Sequence, residues 1–310
     1  MVGRLAWDRT TDDTSLPPAP DDLSEAAAWL LLGAAAGGGV REGRVRVHPV
    51  RPPVTVAAAT GTAELFARMA PATGSQEGRR PVPGVPYTPS RVRLERTAPA
   101  GGGPAAWTVF IPPTQTWSTG GGSNPFDGTS NLVGFSGARA DAGDAVLEVL
   151  RSAGVTADEP VLLVGYSQGG ITAAQLASDE AVRREFALTT VLTVGAPVAL
   201  LDIPADVQVL SIEHEQDLVT VLDGELNPSR PGWTTVSRDL LDPATGDPEV
   251  AAALGADPFA PHHYAPYAET ARRVDAVDDA SVLAWRRSVA PFLGRPGATT
   301  TATEWEASRG

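Results

Sequence analysis

Between Val161 and Ala177 the chain passes from an unbroken apolar run, Val161-Leu162-Leu163-Val164, through Gly165-Tyr166-Ser167-Gln168-Gly169-Gly170 into the alanine-rich stretch Ile171 to Ala177. The apolar run reads as a buried strand and the alanine-rich stretch as a helix. Only a sharp turn joins them, and glycines on both sides of Ser167 are what a strained turn with close neighbours demands. Ser167 then stands clear of a sheet with its hydroxyl exposed. A strand that feeds directly into a helix belongs to the βαβ architecture, so this segment narrows the fold class more than any other.

The same rhythm runs on from about residue 105. Trp107 to Ile111, Val161 to Val164, Val191 to Val194 and Val207 to Ile212 are short apolar or β-branched runs separated by helical segments. One such segment, Ala138 to Leu150, carries apolar residues at three- and four-residue steps. The expectation is an α/β fold with a mainly parallel central sheet and helices on both faces. In such sheets the functional residues lie beyond the carboxyl ends of the strands.

Residues 105–293 form the expected core, closed by one or two helices in Val274 to Leu293 after a loop-rich stretch at 223–261. Residues 294–310 read as a tail. Upstream, residues 1–20 read as a disordered leader, and 21–104 as a helix and strands partly added to the sheet. Val45 to Val50 and Val92 to Leu94 show the alternation of half-exposed strands. Ala57 to Ala70 reads as a helix and 71–90, dense in Pro, Gly and Ser, as a loop.

Composition removes whole classes of chemistry. A net charge of −13 disfavours nucleic acid or an anionic membrane as the main partner. All 24 basic residues are Arg, which excludes a Schiff-base lysine and a P-loop. Cysteine is absent, so disulfides, thiol catalysis and thiolate metal sites are excluded. No His/Asp/Glu spacing suggests a metal, and no cofactor is expected. The apolar run Ala26 to Ala36 is eleven residues long, too short to span a bilayer. Asp21, Asp22 and Glu25 precede it where a signal peptide carries positive charge. It reads as a short helix capped by Asp22 or Ser24 and ended by Gly37. No integral membrane segment is expected; the sequence leaves the compartment open, with a cytoplasmic location slightly favoured.

The residues just after each strand run supply a consistent set. Ser167 follows the first, and Glu213-His214-Glu215-Gln216-Asp217 follows Val207 to Ile212. Beyond the loop-rich stretch stands the pair His262-His263. A serine hydroxyl is a weak nucleophile until an imidazole takes its proton, and a buried carboxylate fixes that imidazole's tautomer and charge. Serine, then acid, then histidine is the chain order of α/β-hydrolases. Asp217 is the candidate acid, with Glu213, Glu215 and Asp223 as rivals. His48 precedes the sheet and His214 shares the acid's own loop. The base is therefore His262 or His263, which the sequence does not separate. Tyr264 and Tyr267 read as aromatics packed near them.

An oxyanion produced by attack on a carbonyl needs two N–H donors. One is expected from Gln168, the residue after the nucleophile. The other is expected from the loop after Trp107–Ile111, where Pro112 and Pro113 lack the donor and leave Thr114 or Gln115, with the Gln115 side chain as a further possibility. Ser118 to Asp127 contains three consecutive glycines, but no helix start with a basic residue follows to make a phosphate cradle. It reads as a mobile rim, with Trp117 and Phe126 touching a substrate, or as an ordinary crossover loop.

Gly165-Tyr166-Ser167-Gln168-Gly169-Gly170 resembles the elbow of cutinases and of the PE-PPE-type serine esterases of actinobacteria. Gly195-Ala196-Pro197 after the next strand, and Asp217 followed by Leu218-Val219, also resemble this branch of the α/β-hydrolase fold. The resemblance covers 105–293 and implies hydrolysis of a small-molecule or lipid-like carboxylic ester through an acyl-enzyme, without a cofactor. Two departures stand out. The chain lacks the cysteines that form cutinase disulfides, and Ile111-Pro112-Pro113-Thr114 replaces the glycine-rich oxyanion motif of many lipases. An acyltransferase or thioesterase would use the same residues, and an inactive scaffold domain would keep only the fold.

Overall fold

The computed structural model describes residues 6–7, 43–73, 82–117, 122–135 and 138–310. The expected helix in Ala26 to Ala36 lies outside them, as do residues 118–121 of the glycine-rich loop and most of the 1–20 leader. Among the described residues no helix is long and apolar enough to cross a membrane.

One mixed ten-stranded sheet organises the chain. Its centre is parallel: β5 (Ala106–Ile111), β6 (Pro160–Tyr166), β7 (Ala187–Val194), β8 (Gln208–His214) and β9 (Trp233–Arg238) pair in sequence order. Antiparallel strands extend it at both ends. β1 (Ala6–Trp7) pairs with β9, so part of the expected leader is a strand. β4 (Arg91–Ala98) pairs with β5, and β10 (Thr299–Arg309) pairs with β4, β2 (Val45–Pro49) and β3 (Val54–Val56). The expectation of a mainly parallel sheet thus describes the centre, while the whole is mixed.

The expected tail at 294–310 is the strongest correction, because β10 is an eleven-residue strand inside the sheet. Cross-strand ion pairs fix its register on β4, with Arg93 and Arg91 facing Glu304 and Glu306, both at 2.8 Å. The loop-rich stretch also contains β9 and a helix, α6 (Pro248–Ala253), capped by Asp247.

Side-chain alternation along the parallel strands divides the core into two layers. On one face Val161, Leu163, Val191 and Val209 pack under α3 (Asp141–Ser152) and α4 (Gln168–Ser178). The other face carries Leu162, Val164, Leu192, Leu210 and Ile212. It packs under α1 (Thr62–Ala67), α7 (Tyr264–Ala276) and α8 (Ala280–Val289). The expected helix at Ala57–Ala70 shortens to α1, because Asp275 of α7 accepts the Thr62 and Ala63 N–H groups at 2.8 Å and fixes its start there. The remaining helices are α2 (Gly128–Phe135) before α3 and α5 (Glu180–Glu185) after α4.

Candidate functional site

Ser167 joins β6 to α4 with φ 54° and ψ −123°, a conformation that strains any residue bearing a Cβ. The crowding expected of this turn is severe. A Cβ on Gly165 would lie 2.1 Å from the Gly169 carbonyl oxygen, and one on Gly169 would lie 2.1 Å from that of Ile111. Only glycine lets β5, β6 and the start of α4 approach so closely. The turn is locked by Ser167 N–H donating to Val194 O at 2.9 Å, and by Ser167 O accepting from Gly170 N–H at 2.8 Å.

A line of hydrogen bonds leaves the serine. Its Oγ lies 3.0 Å from His262 Nε2, and His262 Nδ1 lies 2.7 Å from Asp217 Oδ2. These residues come from the ends of β6 and β8 and from a single 3₁₀ turn, Ala260–His262, that leads into α7. The sequence left two histidines open, and the structure separates them. His262 is 9 % exposed and faces Ser167. The His263 side chain is 58 % exposed and pairs with Asp257 on the surface at 3.2 Å, so it plays no part in the line.

Asp217 follows β8 in a tight turn. Its N–H donates to His214 O at 3.0 Å, its Oδ1 accepts the Val219 N–H at 2.9 Å, and its own carbonyl accepts the Thr220 hydroxyl at 2.9 Å. Burial alone would raise its pKa, but the charge of His262 and hydrogen bonds from His262, Tyr267 and Val219 hold it below the ordinary carboxylate range. An ionised Asp217 accepts the Nδ1 proton and leaves Nε2 free to accept from the serine. The rival acids stay apart: Glu213 accepts from Asn227 at 2.6 Å, Asp223 accepts the Ala199 N–H at 2.8 Å, and Glu215 is exposed.

His262 is held through its backbone. Tyr166 at the end of β6 donates its hydroxyl to the His262 carbonyl. His214 Nδ1–H donates to the preceding carbonyl, Pro261 O, at 2.7 Å. Burial lowers the His214 pKa to about 4, so this ring is neutral and its Nε2 accepts the Thr270 hydroxyl at 2.8 Å. His214 thus braces the turn that carries His262, and neither of its ring nitrogens faces Ser167.

The Gln168 N–H, at the first position of α4, has no acceptor among the described residues, and neither does the Thr114 N–H. Gly169 abuts the Ile111 and Pro112 carbonyls, which brings the 112–114 loop beside the elbow. Gln115 is different. Its N–H donates to Phe126 O at 2.8 Å, while its buried amide binds Ala72 O, Ser90 N–H and Asn124. Gln115 therefore braces the loop, and its backbone N–H is already taken. The Gln168 side chain donates to Asp127 O at 2.8 Å.

Phe126 is fully buried in the core and cannot form a rim, because the Thr116–Asp127 bridge folds it under the loop. Trp117 remains 41 % exposed. Among the described residues no cluster of three or more His, Asp or Glu is arranged for a metal ion. A cavity of about 340 Å³ lies between Gln208, Gly232, Trp233, Ser281 and Trp285. It sits at the amino ends of β8 and β9, the far end of the sheet from Ser167, and no nucleophile–base pair lines it.

Sequence reasoning did not single out Tyr166, Asp127 or Arg309, and took Tyr267 for an ordinary core aromatic. Arg309 at the end of β10 pairs with Asp127 and Asp141. Tyr267 donates its hydroxyl to Asp217 Oδ2 at 2.6 Å. No short motif marks these residues, since each acts across a long sequence separation.

Comparison with known proteins finds no matching family model, no similar curated protein and no similar solved structure.

Proposed function

We propose that this protein is a serine ester hydrolase of the α/β-hydrolase type, akin to the cutinase and PE-PPE-type branch. The observation that carries the reading is the continuous line from Ser167 Oγ through His262 to Asp217, begun by a serine held in a strained, positive-φ turn. Such strain at a half-buried serine is costly to keep and points to a task.

In this reading Ser167 Oγ forms a bond to the ester carbonyl carbon while its proton passes to His262 Nε2. The carbonyl π pair moves onto oxygen, where Gln168 N–H and Thr114 N–H receive it. Collapse breaks the bond to the alcohol oxygen, which leaves with the proton from His262. Water then attacks the acyl-enzyme, gives one proton to Nε2, and the acid departs as Ser167 regains it. Asp217 keeps its charge throughout and steadies the imidazolium.

An apolar acyl group fits the surroundings best. Among the described residues seven large apolar side chains are exposed; Val50 follows β2 and Val54 begins β3, and the other five, Trp117, Leu200, Val221, Leu226 and Leu241, lie on loops that follow β5, β7, β8 or β9. These loops are tied together, Asp223 to Ala199 N–H and Gln216 to Asp239 and Leu240 N–H. Exposed apolar groups gathered at the serine's end of the sheet favour an apolar ligand, and the net charge of −13 disfavours an anionic one.

A fluorophosphonate probe is the direct test. It labels the wild type at Ser167 and leaves Ser167→Ala unlabelled, and p-nitrophenyl esters of four or more acyl carbons turn over faster than the acetate. An unlabelled wild type, or equal labelling of Ser167→Ala, overturns the reading. Added alcohol or thiol acceptors distinguish acyl transfer from hydrolysis.

A further inference from the structure

We propose that Tyr267 is a positioning residue of this site, its hydroxyl fixing both the orientation and the effective charge of the carboxylate that His262 meets. The inference rests on the hydrolase reading above. Tyr267 OH and His262 Nδ1 converge on one oxygen, Asp217 Oδ2, at 2.6 and 2.7 Å, and Val219 N–H takes the other. Three donors from two segments of chain therefore fix the carboxylate plane, and His262 shares its acceptor with a competitor.

The tyrosine is itself held with care. Its ring stacks on His214 at 3.8 Å between centroids and 14° between planes, and it is fully buried. Gly195 turns with φ +57° beneath it, and a Cβ there would lie 2.8 Å from Tyr267 Cε2. A ring placed only to fill the core would not need its oxygen, yet that oxygen reaches the acid. Burial, together with the charges of Asp217 and Glu213, raises the phenol pKa well above its ordinary value, so the group remains a donor across the working pH range.

The groups facing this carboxylate are few. His262 and Tyr267 approach it from the 3₁₀ turn and α7. Glu213 and the neutral His214 lie on β8. Tyr166 of β6 stacks on His262, and Arg238 of β9 is set back behind Thr270. Removing the Tyr267 hydroxyl returns charge to Oδ2, where only His262 is left to receive it. The imidazolium then persists to higher pH, and the carboxylate gains freedom to turn away from Nδ1.

The test compares Tyr267→Phe with the wild type by the pH dependence of kcat/KM, by kcat and KM separately, and by urea unfolding. The expected result is an acid limb moved upward by about half a pH unit or more, with kcat lowered about tenfold and KM within about twofold. Replacement of Tyr267 by 3-fluorotyrosine, a stronger donor of nearly the same shape, moves the limb the other way and keeps the measurement available if the Phe variant folds poorly. Wild-type kcat and an unmoved limb in either folded variant overturn the inference and leave a packing role. Fluorophosphonate labelling of the wild type at Ser167 is scored in parallel, so a failure of the hydrolase reading is seen separately.

Discussion

Arg309 and Asp127 form a buried ion pair at 2.5 Å, with side chains 5 % and 0 % exposed. The pair links the last strand of the sheet to the loop that supports the candidate nucleophile. β10 is antiparallel to β4, and β4 to β5, so β10 runs with β5 and delivers Arg309 to the carboxyl end where Ser167 stands. The guanidinium also reaches Asp141, Ser130 and the Gly122 and Asn124 carbonyls, while the Asp127 carbonyl accepts the Gln168 side chain. The residue behind the expected oxyanion donor is thereby anchored to the final strand.

Arg309→Met tests this anchor. It leaves two carboxylates buried without their cation, which costs about 3–5 kcal/mol. The expected result by urea unfolding is a loss of that order, with a smaller loss for Asp127→Asn, which still accepts a hydrogen bond. Near wild-type stability in Arg309→Met would show that water reaches the network freely.

Exchange of the two adjacent histidines separates base from bystander. His262→Ala lowers kcat on a p-nitrophenyl ester by about a thousandfold or more, the scale of losing a residue that acts as a unit with the nucleophile. His263→Ala loses only an exposed pair with Asp257 and stays within about twofold. Comparable losses in both variants would refute the assignment.

The division between what the sequence revealed and what it hid follows the range of the interactions. The β6–Ser167–α4 unit was legible because its signals lie within one continuous stretch, Val161 to Ala177, each strand, turn and helix carrying its own composition. Asp217 was legible from its place after an apolar run. His262 and His263 were not separable, since what divides them is where a 3₁₀ turn gives way to α7. Gln115 shows the converse. Its amide could equally serve an oxyanion or hold the loop, and only partners from residues 72, 90 and 124 reveal that it holds the loop. β10 does carry alternation, but only in two short pieces out of phase with each other, Thr300 and Ala302 buried in one and Trp305 and Ala307 in the other. Its partner β4 lies some two hundred residues away, however, and its polar, Thr- and Glu-rich sequence resembles a tail until Arg91 and Arg93 are seen opposite Glu306 and Glu304.

Gly169→Ala probes the close approach that shapes the elbow. The added methyl would meet the Ile111 carbonyl oxygen at 2.1 Å, backbone against backbone, with no flexible side chain to give way. Overpacking of this kind costs about 1–3 kcal/mol or more. Because it pushes the 112–114 loop from the elbow, labelling of Ser167 by a fluorophosphonate is expected to slow markedly even in the folded fraction. Gly154→Ala, at a surface turn open to solvent, lowers stability through its positive φ but leaves labelling unchanged. Equal effects on labelling would remove the elbow from the argument.

Glu213 and His214, neighbours on β8, give stability opposite dependences on pH. Burial lowers the His214 pKa from 6.5 to about 4, so between those values the unfolded chain binds the proton more readily, and stability falls as pH drops. A shift of that size corresponds to about 3 kcal/mol, complete below pH 4. Burial raises the Glu213 pKa from 4.5 to about 7, a change opposed by its bond to Asn227 and reinforced by Asp223 and Asp217. Here the folded chain binds the proton more readily, so stability falls as pH climbs from 4.5 through 7. Over the shared interval the two slopes oppose each other, and the wild type is expected to show a shallow profile there. Asp217, held below its ordinary pKa, adds stability that is present above pH 3.8 and is lost only as pH falls beyond it. Glu213→Gln removes one slope, so its urea midpoint rises with pH between 4.5 and 6.5, whereas in His214→Gln it falls over the same range. Parallel profiles in the two variants would show that neither group titrates as its burial requires.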